Sequence, residues 1–146
     1  MILDRQNLVS DAQFINTGNI VSTDAIDLGP VQTDSLGNTP VRDVGRAEHP
    51  KMVITVTEQF AGGTSVQFQI VSATATDLTT GQVIHSQTAA IAVATLRPGY
   101  QAQLDLPVGI NQRFLGVRYV VVGTNTTGRV TAGIVEARQT NPSVTQ

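Results

Sequence analysis

A chain of 146 residues with 40% hydrophobic content has the size of one domain and enough apolar side chains for one core. Charged residues make up 14% and the net charge is -2, too weak a field to draw in nucleic acid or an anionic membrane. The lack of cysteine removes disulfides, thiolate metal sites and cysteine nucleophiles together.

The opening MILDRQNLVSDAQF carries Asp4, Arg5 and Asp11 and has no apolar run of the ~7 to 15 residues that a signal-peptide core requires. No later window approaches the ~18 apolar residues of a membrane span, so a soluble protein is expected. Leu3, Leu8, Ala12 and Ile15 fit one side of a short helix, and an extended arm fits about as well. Residues 1–18 are therefore read as an N-terminal arm or short helix, 19–137 as a single β-sandwich domain and 138–146 as a C-terminal tail. Ile20 to Leu28 forms a first strand closed by Gly29-Pro30. Val31 to Pro50 follows with scarcely any periodicity, a long loop that contains Arg42, Asp43, Arg46, Glu48 and His49 and runs into Lys51. Loops of this length in compact domains are usually functional or disordered. This one reads either as a solvated connection or as a loop that orders on a partner, its charges setting the register of docking.

Strand patterns then come in close succession. Met52, Ile54 and Val56 alternate with Val53, Thr55 and Thr57; after Gly62-Gly63, Val66, Phe68 and Ile70 alternate with Gln67 and Gln69, which reads as a hairpin. Val83 to Thr88 and Ile91 to Leu96 are two short strands or one long one. Tyr100, Ala102, Leu104 and Leu106 alternate with Gln101, Gln103 and Asp105 up to Pro107. Phe114 to Ala137 reads as a long antiparallel hairpin around Thr124-Asn125-Thr126-Thr127, between Gly123 and Gly128. About eight strands with almost no helical pattern predict an all-β, jelly-roll-like antiparallel sandwich with an N-terminal arm and a long loop after its first strand. Its inward set is Ile54, Val56, Val66, Phe68, Ile70, Ile91, Val93, Leu104, Leu106, Leu115, Val117, Tyr119, Val121, Val130 and Ile134. The outer faces are neutral, which leaves sheet edges poorly protected against further pairing.

Little in the chain carries chemistry. His49 and His85 are the only histidines, short of the ligand set of a metal site in a β-barrel. Asp24, Asp27 and Asp34 lack the regular spacing of a calcium loop, and no G-x-S-x-G elbow is present. Asn125-Thr126-Thr127 matches the N-glycosylation pattern at an expected exposed hairpin tip, discounted without a secretion signal. Two tyrosines and no tryptophan argue against the aromatic platforms of a lectin and against stacking on single-stranded nucleic acid. The expectation is no enzyme, no cofactor and no metal.

Met1-Ile2-Leu3-Asp4 with Leu8-Val9-Ser10-Asp11-Ala12-Gln13, Ser22-Thr23 through Ile26-Asp27-Leu28-Gly29, and Arg113-Phe114-Leu115 to Tyr119, Gly123, Thr127-Gly128 and Thr131-Ala132-Gly133-Ile134-Val135 carry a resemblance. The chain resembles the small capsid cement, or decoration, proteins of tailed bacteriophages, of the type first described on a Bordetella phage. That resemblance implies a jelly roll made in the bacterial host cytoplasm that sits on the outer surface of the virion head. There it would act as a symmetric homodimer or homotrimer clamping neighbouring major capsid protein subunits, with no enzymatic role. In that role the arm around Leu3, Leu8 and Phe14 and the loop bearing Arg42, Arg46 and Lys51 are the candidate capsid-interface residues. Deletion of the residues before Asp11 is then expected to abolish shell binding and leave the fold intact. A carbohydrate-binding jelly-roll module on the virion is the alternative, and a metal-dependent β-barrel enzyme a distant third.

Overall fold

In the computed structural model the described residues are 4–42, 44 and 50–135; Leu3, Arg46, His49 and the expected tail 138–146 lie outside them. Among the described residues ten strands are formed: β1 Leu8–Phe14, β2 Thr17–Val21, β3 Ile26–Asp27, β4 Lys51–Ala61, β5 Ser65–Ala73, β6 Val83–Gln87, β7 Ile91–Ala92, β8 Gln101–Asp105, β9 Phe114–Thr124 and β10 Thr127–Val135. Two 3-10 helices, Arg5–Asn7 and Val93–Thr95, are the only helical turns among the described residues. No described helix is long and apolar enough to cross a membrane.

One sheet has the order β1-β10-β4-β8 and the other β2-β9-β5-β6, with β3 added against β9 and β7 against β5. Every pairing among the described residues is antiparallel. If β3 is counted with β2 and β7 with β6, eight positions remain. Every link but β5 to β6 then carries the chain across to the other sheet, while the first and last strands pair, which is the wrapping of a jelly roll. The all-β sandwich expected from the alternation is present.

Both expected hairpins are corrected by this topology. β4 and β5 lie in different sheets, and so do β9 and β10. The tight connections at Gly62-Gly63 and Asn125-Thr126 therefore turn a corner between sheets. The second corner is built around Asn125, which is 2% exposed and so is not the exposed acceptor its position at a hairpin tip implied. Its Nδ2 donates to the Ile15 carbonyl at 3.0 Å and its backbone N–H to Asn16 at 2.7 Å. A Cβ on Gly63 would stand 2.1 Å from Asn125 Oδ1, so only glycine lets the two corners meet.

The opening segment, for which short helix and arm were both open, is a 3-10 helix followed by an edge strand of the sandwich. β1 pairs with β10 from Leu8 opposite Gly133 to Phe14 opposite Arg129, with register shifts that mark bulges. Ala12 takes a φ of 45° there, and its N–H donates to Thr131 Oγ1 at 3.1 Å. The Asp24 N–H donates to the Val9 carbonyl at 2.9 Å, so the loop after β2 covers part of this edge.

Between the sheets lies one core. Thirteen of the fifteen expected inward residues are buried, while Ile91 and Ile134 are half-buried against the same cluster. Val9, Ile15, Met52, Phe60, Leu96 and Ile110 join it. Phe68 and Tyr119 meet edge to face, centroids 5.9 Å apart, across the pair β5 and β9. A smaller cluster of Val71, Ala73, Leu78 and Phe114 covers the outer face of the second sheet.

Candidate functional site

The ends of the sandwich decide which candidate residues can act together. β9 passes to β10 through two residues, so Thr124 and Thr127 share one end and Phe114 and Val135 the other. Lys51 pairs with Val135 and Leu8 with Gly133. Leu8, Lys51 and the base of the long loop are thus at one end, whereas Phe14, opposite Arg129, is at the other. The two described members of the expected arm, Leu8 and Phe14, do not form one surface.

Their side chains are also engaged differently. Leu8 is half-buried. Phe14 is 40% exposed beneath the Arg129 guanidinium, which lies 5.9 Å from its centroid, pairs with Glu58 at 3.1 Å and donates to the Ala12 carbonyl at 2.9 Å. Lys51 pairs with Asp105 on the neighbouring β8. Arg42 donates to the carbonyls of Gly29 and Gln112. Of the expected cations, the two that are described are occupied within the chain: Arg42 ties down the loop and Lys51 bridges two strands.

Around Arg42 the loop end is cross-braced. Asp27 takes both Arg113 Nε at 2.8 Å and Nη2 at 2.7 Å, and Gly29 N–H at 2.8 Å. The Arg113 hydrogen bonds, reinforced by Gly29, hold the Asp27 carboxyl at about 2. Arg113 also lies over the Phe114 ring, 5.0 Å from its centroid. Gln112 Nε2 donates to the Gly81 carbonyl at 2.8 Å, and its Oε1 accepts from Ser72 Oγ at 3.0 Å. With its single proton placed on Gln112, the Ser72 hydroxyl receives one from His85 Nε2, 2.6 Å away. Burial lowers the His85 pKa, which leaves the neutral ring carrying its proton on that nitrogen. A nucleophilic serine needs a histidine that accepts its proton; here the direction is the reverse, and Ser72 is fully buried. The pair is a brace between β5, β6 and the loop before β9.

From this braced base the loop projects a finger. Asp34 N–H donates to the Asn38 carbonyl at 2.9 Å, and Gly37 N–H to the Asp34 carbonyl at 3.0 Å. The Asp34 carboxylate takes Leu36 N–H at 2.9 Å, Asn38 N–H at 2.8 Å and Asn38 Nδ2 at 3.2 Å, and the bonds from Asn38 lower its pKa. At the neck the Thr33 and Thr39 hydroxyls are 3.3 Å apart. Leu36 and Val41 are each 84% exposed. Sequence reasoning missed this finger because it weighed the charges of the loop. The signal lay in Asp34, Gly37 and Asn38, residues whose side chains or φ build turns.

Elsewhere, an open groove of about 410 Å³ is lined by Arg5, Gln6, Leu8, Asp11, Asp24 and Ala25 beside the covered edge of β1. Among the described residues no three His, Cys, Asp or Glu side chains gather as a metal site.

A protein-family model described as Bbp16 matches residues 9–136 of the chain. No curated protein matches it.

Proposed function

The chain belongs to the Bbp16 family, a Bordetella phage-type protein family, and from that premise we propose that it is a structural protein of the phage particle. In this reading it decorates the outer surface of the head and clamps neighbouring major capsid protein subunits. The observation that carries the reading is the family match, which runs from the second residue of β1 past the end of β10 and so takes in the whole jelly roll. The fold supports it. A two-sheet sandwich packed on one core is a rigid body, and its braced loop end gives it a defined face. Any protein that binds assembled shell in preference to separated subunits stabilises the shell by mass action, and a symmetric oligomer engages several sites at once.

Self-association as a homodimer or homotrimer belongs to the same proposal. β6 and β8 are the last strands of their sheets, and β6 shows Val83 and Ile84 to solvent, an edge open to pairing. Of the interface candidates, Leu8 and Lys51 lie at the finger end and Phe14 at the far end. A clamp of this kind uses the finger end toward the shell and leaves Phe14 away from it.

Co-sedimentation with empty heads assembled from the phage's own major capsid protein tests the proposal. Saturable binding, with a rise in the temperature at which the heads break, is the expected result. A folded protein that stays in the supernatant at every concentration would remove the proposal and direct attention to glycan binding.

A further inference from the structure

We propose that the finger of residues 31–41 is the docking element, and that it seats Leu36 in an apolar pocket of a capsid subunit; this rests on the reading of the chain as a head-decorating protein. Three observations carry the inference. The finger is ordered by its own hydrogen bonds: the Asp34 carboxylate fixes the N–H groups of Leu36 and Asn38, and the backbone closes twice between Asp34 and the Gly37-Asn38 pair. A loop organised before binding does not have to be ordered at the moment of contact, the cost that weakens flexible binders. Next, its base is fixed to the body through Arg42, which donates to Gly29 and Gln112, so force on the tip is transmitted to the sandwich.

The third observation identifies the partner's chemistry. From Pro30 to Val41 the only charged residue is Asp34, and its two carboxylate oxygens are already taken by three donors inside the finger. The tip therefore carries a single carboxylate charge, engaged within the finger, and no cation; Leu36 is its largest apolar group and Val41 lies beside the base, both 84% exposed. Such a tip fits a concave apolar pocket on a protein. A phosphate backbone or an anionic lipid surface would ask for free cations, and the described cations at the base of the finger, Arg42, Lys51 and Arg113, are held within the chain.

The test compares the full-length protein with Leu36→Asp and Leu36→Met in co-sedimentation with empty heads, beside their melting temperatures and their masses in solution. The wild type is expected to saturate the heads even at about 1 M salt, where the screening length is about 3 Å. Leu36→Asp should need at least about tenfold more protein for half-occupancy, the scale of losing one buried leucine, while Leu36→Met stays near wild type. All three should melt alike, because Leu36 stands clear of the body. If the wild type binds and Leu36→Asp binds equally well, the finger is not the docking element and the head-decorating role stands. If the wild type does not bind, both fall. If Leu36→Asp instead turns a wild-type oligomer into a monomer, the tip seats on a second copy and capsid docking by the finger is overturned.

Discussion

Tyr119 illustrates how single side chains tie the two sheets together. Its hydroxyl is 2.8 Å from Ser10 Oγ, Ser10 donates to Gln13 Oε1 at 2.6 Å, and Gln13 Nε2 donates to the Val21 carbonyl at 2.8 Å. Because the Ser10 proton goes to Gln13, Tyr119 is the donor at the buried end of this chain. Burial raises the Tyr119 pKa above its ordinary value of 10.0. A group whose pKa is raised by folding contributes stability that is intact below its unfolded value and is lost as the pH climbs past it. Unfolding midpoints should therefore fall above pH 10.0 in the wild type, and Tyr119→Phe should flatten that alkaline limb while costing on the order of 1 kcal/mol at neutral pH.

Asp27 works with the opposite sign. Its carboxyl is held at about 2 against an ordinary 3.8 by Arg113 and Gly29, so its contribution is present above 3.8 and is lost as the pH falls through about 2. Arg113→Gln should make the acid limb shallower in that window. The change should be small, since the pair is solvent-exposed. Denaturant midpoints taken across the acid range would check this.

At the scale of elements, the strands were legible because burial on one face imposes a period of two. Ile54 and Val56, then Val66, Phe68 and Ile70, and then Leu115, Val117, Tyr119 and Val121 show it, and all of these are buried. Their partners were not legible. A strand that turns a corner into the opposite sheet carries the same alternation as one that folds back on its neighbour, and Gly62-Gly63 or Asn125-Thr126 serves either geometry. Phe60, Ile15 and Leu96 were missed for a related reason: they close the core at strand ends and in loops, where no period runs. Gly128 shows what fixes such a place, since a Cβ there would stand 2.4 Å from the Phe60 ring. Of the expected interface residues, sequence gave their positions but not their neighbours, so Arg42 and Lys51 read as free charges until their partners were known.

β1 changes one expectation in particular. Val9 and Ser10 are fully buried, the first in the core and the second against Tyr119. Deleting the residues before Asp11 removes both, so it cannot yield an intact fold that merely fails to bind. The truncated protein should lose several kcal/mol, about 1.5 to 3 from Val9 burial and about 1 from the Ser10 hydrogen bonds before any loss of strand pairing. Circular dichroism during thermal unfolding would show a markedly lower midpoint. A midpoint equal to that of the full chain would contradict the role given to β1.

For the molecule as a whole, the jelly roll provides a rigid body with its first and last strands paired, and the finger and its braces concentrate contact features at one end. That polarity suits a protein that stands on a surface. The measurement that bears most directly on the head-decorating role is an electron cryomicroscopy map of heads incubated with the protein, compared with bare heads. The account predicts added density on the outer surface at symmetry-related positions, into which the sandwich fits with its finger end toward the shell. Heads that show no added outer density after incubation with saturating folded protein would contradict it.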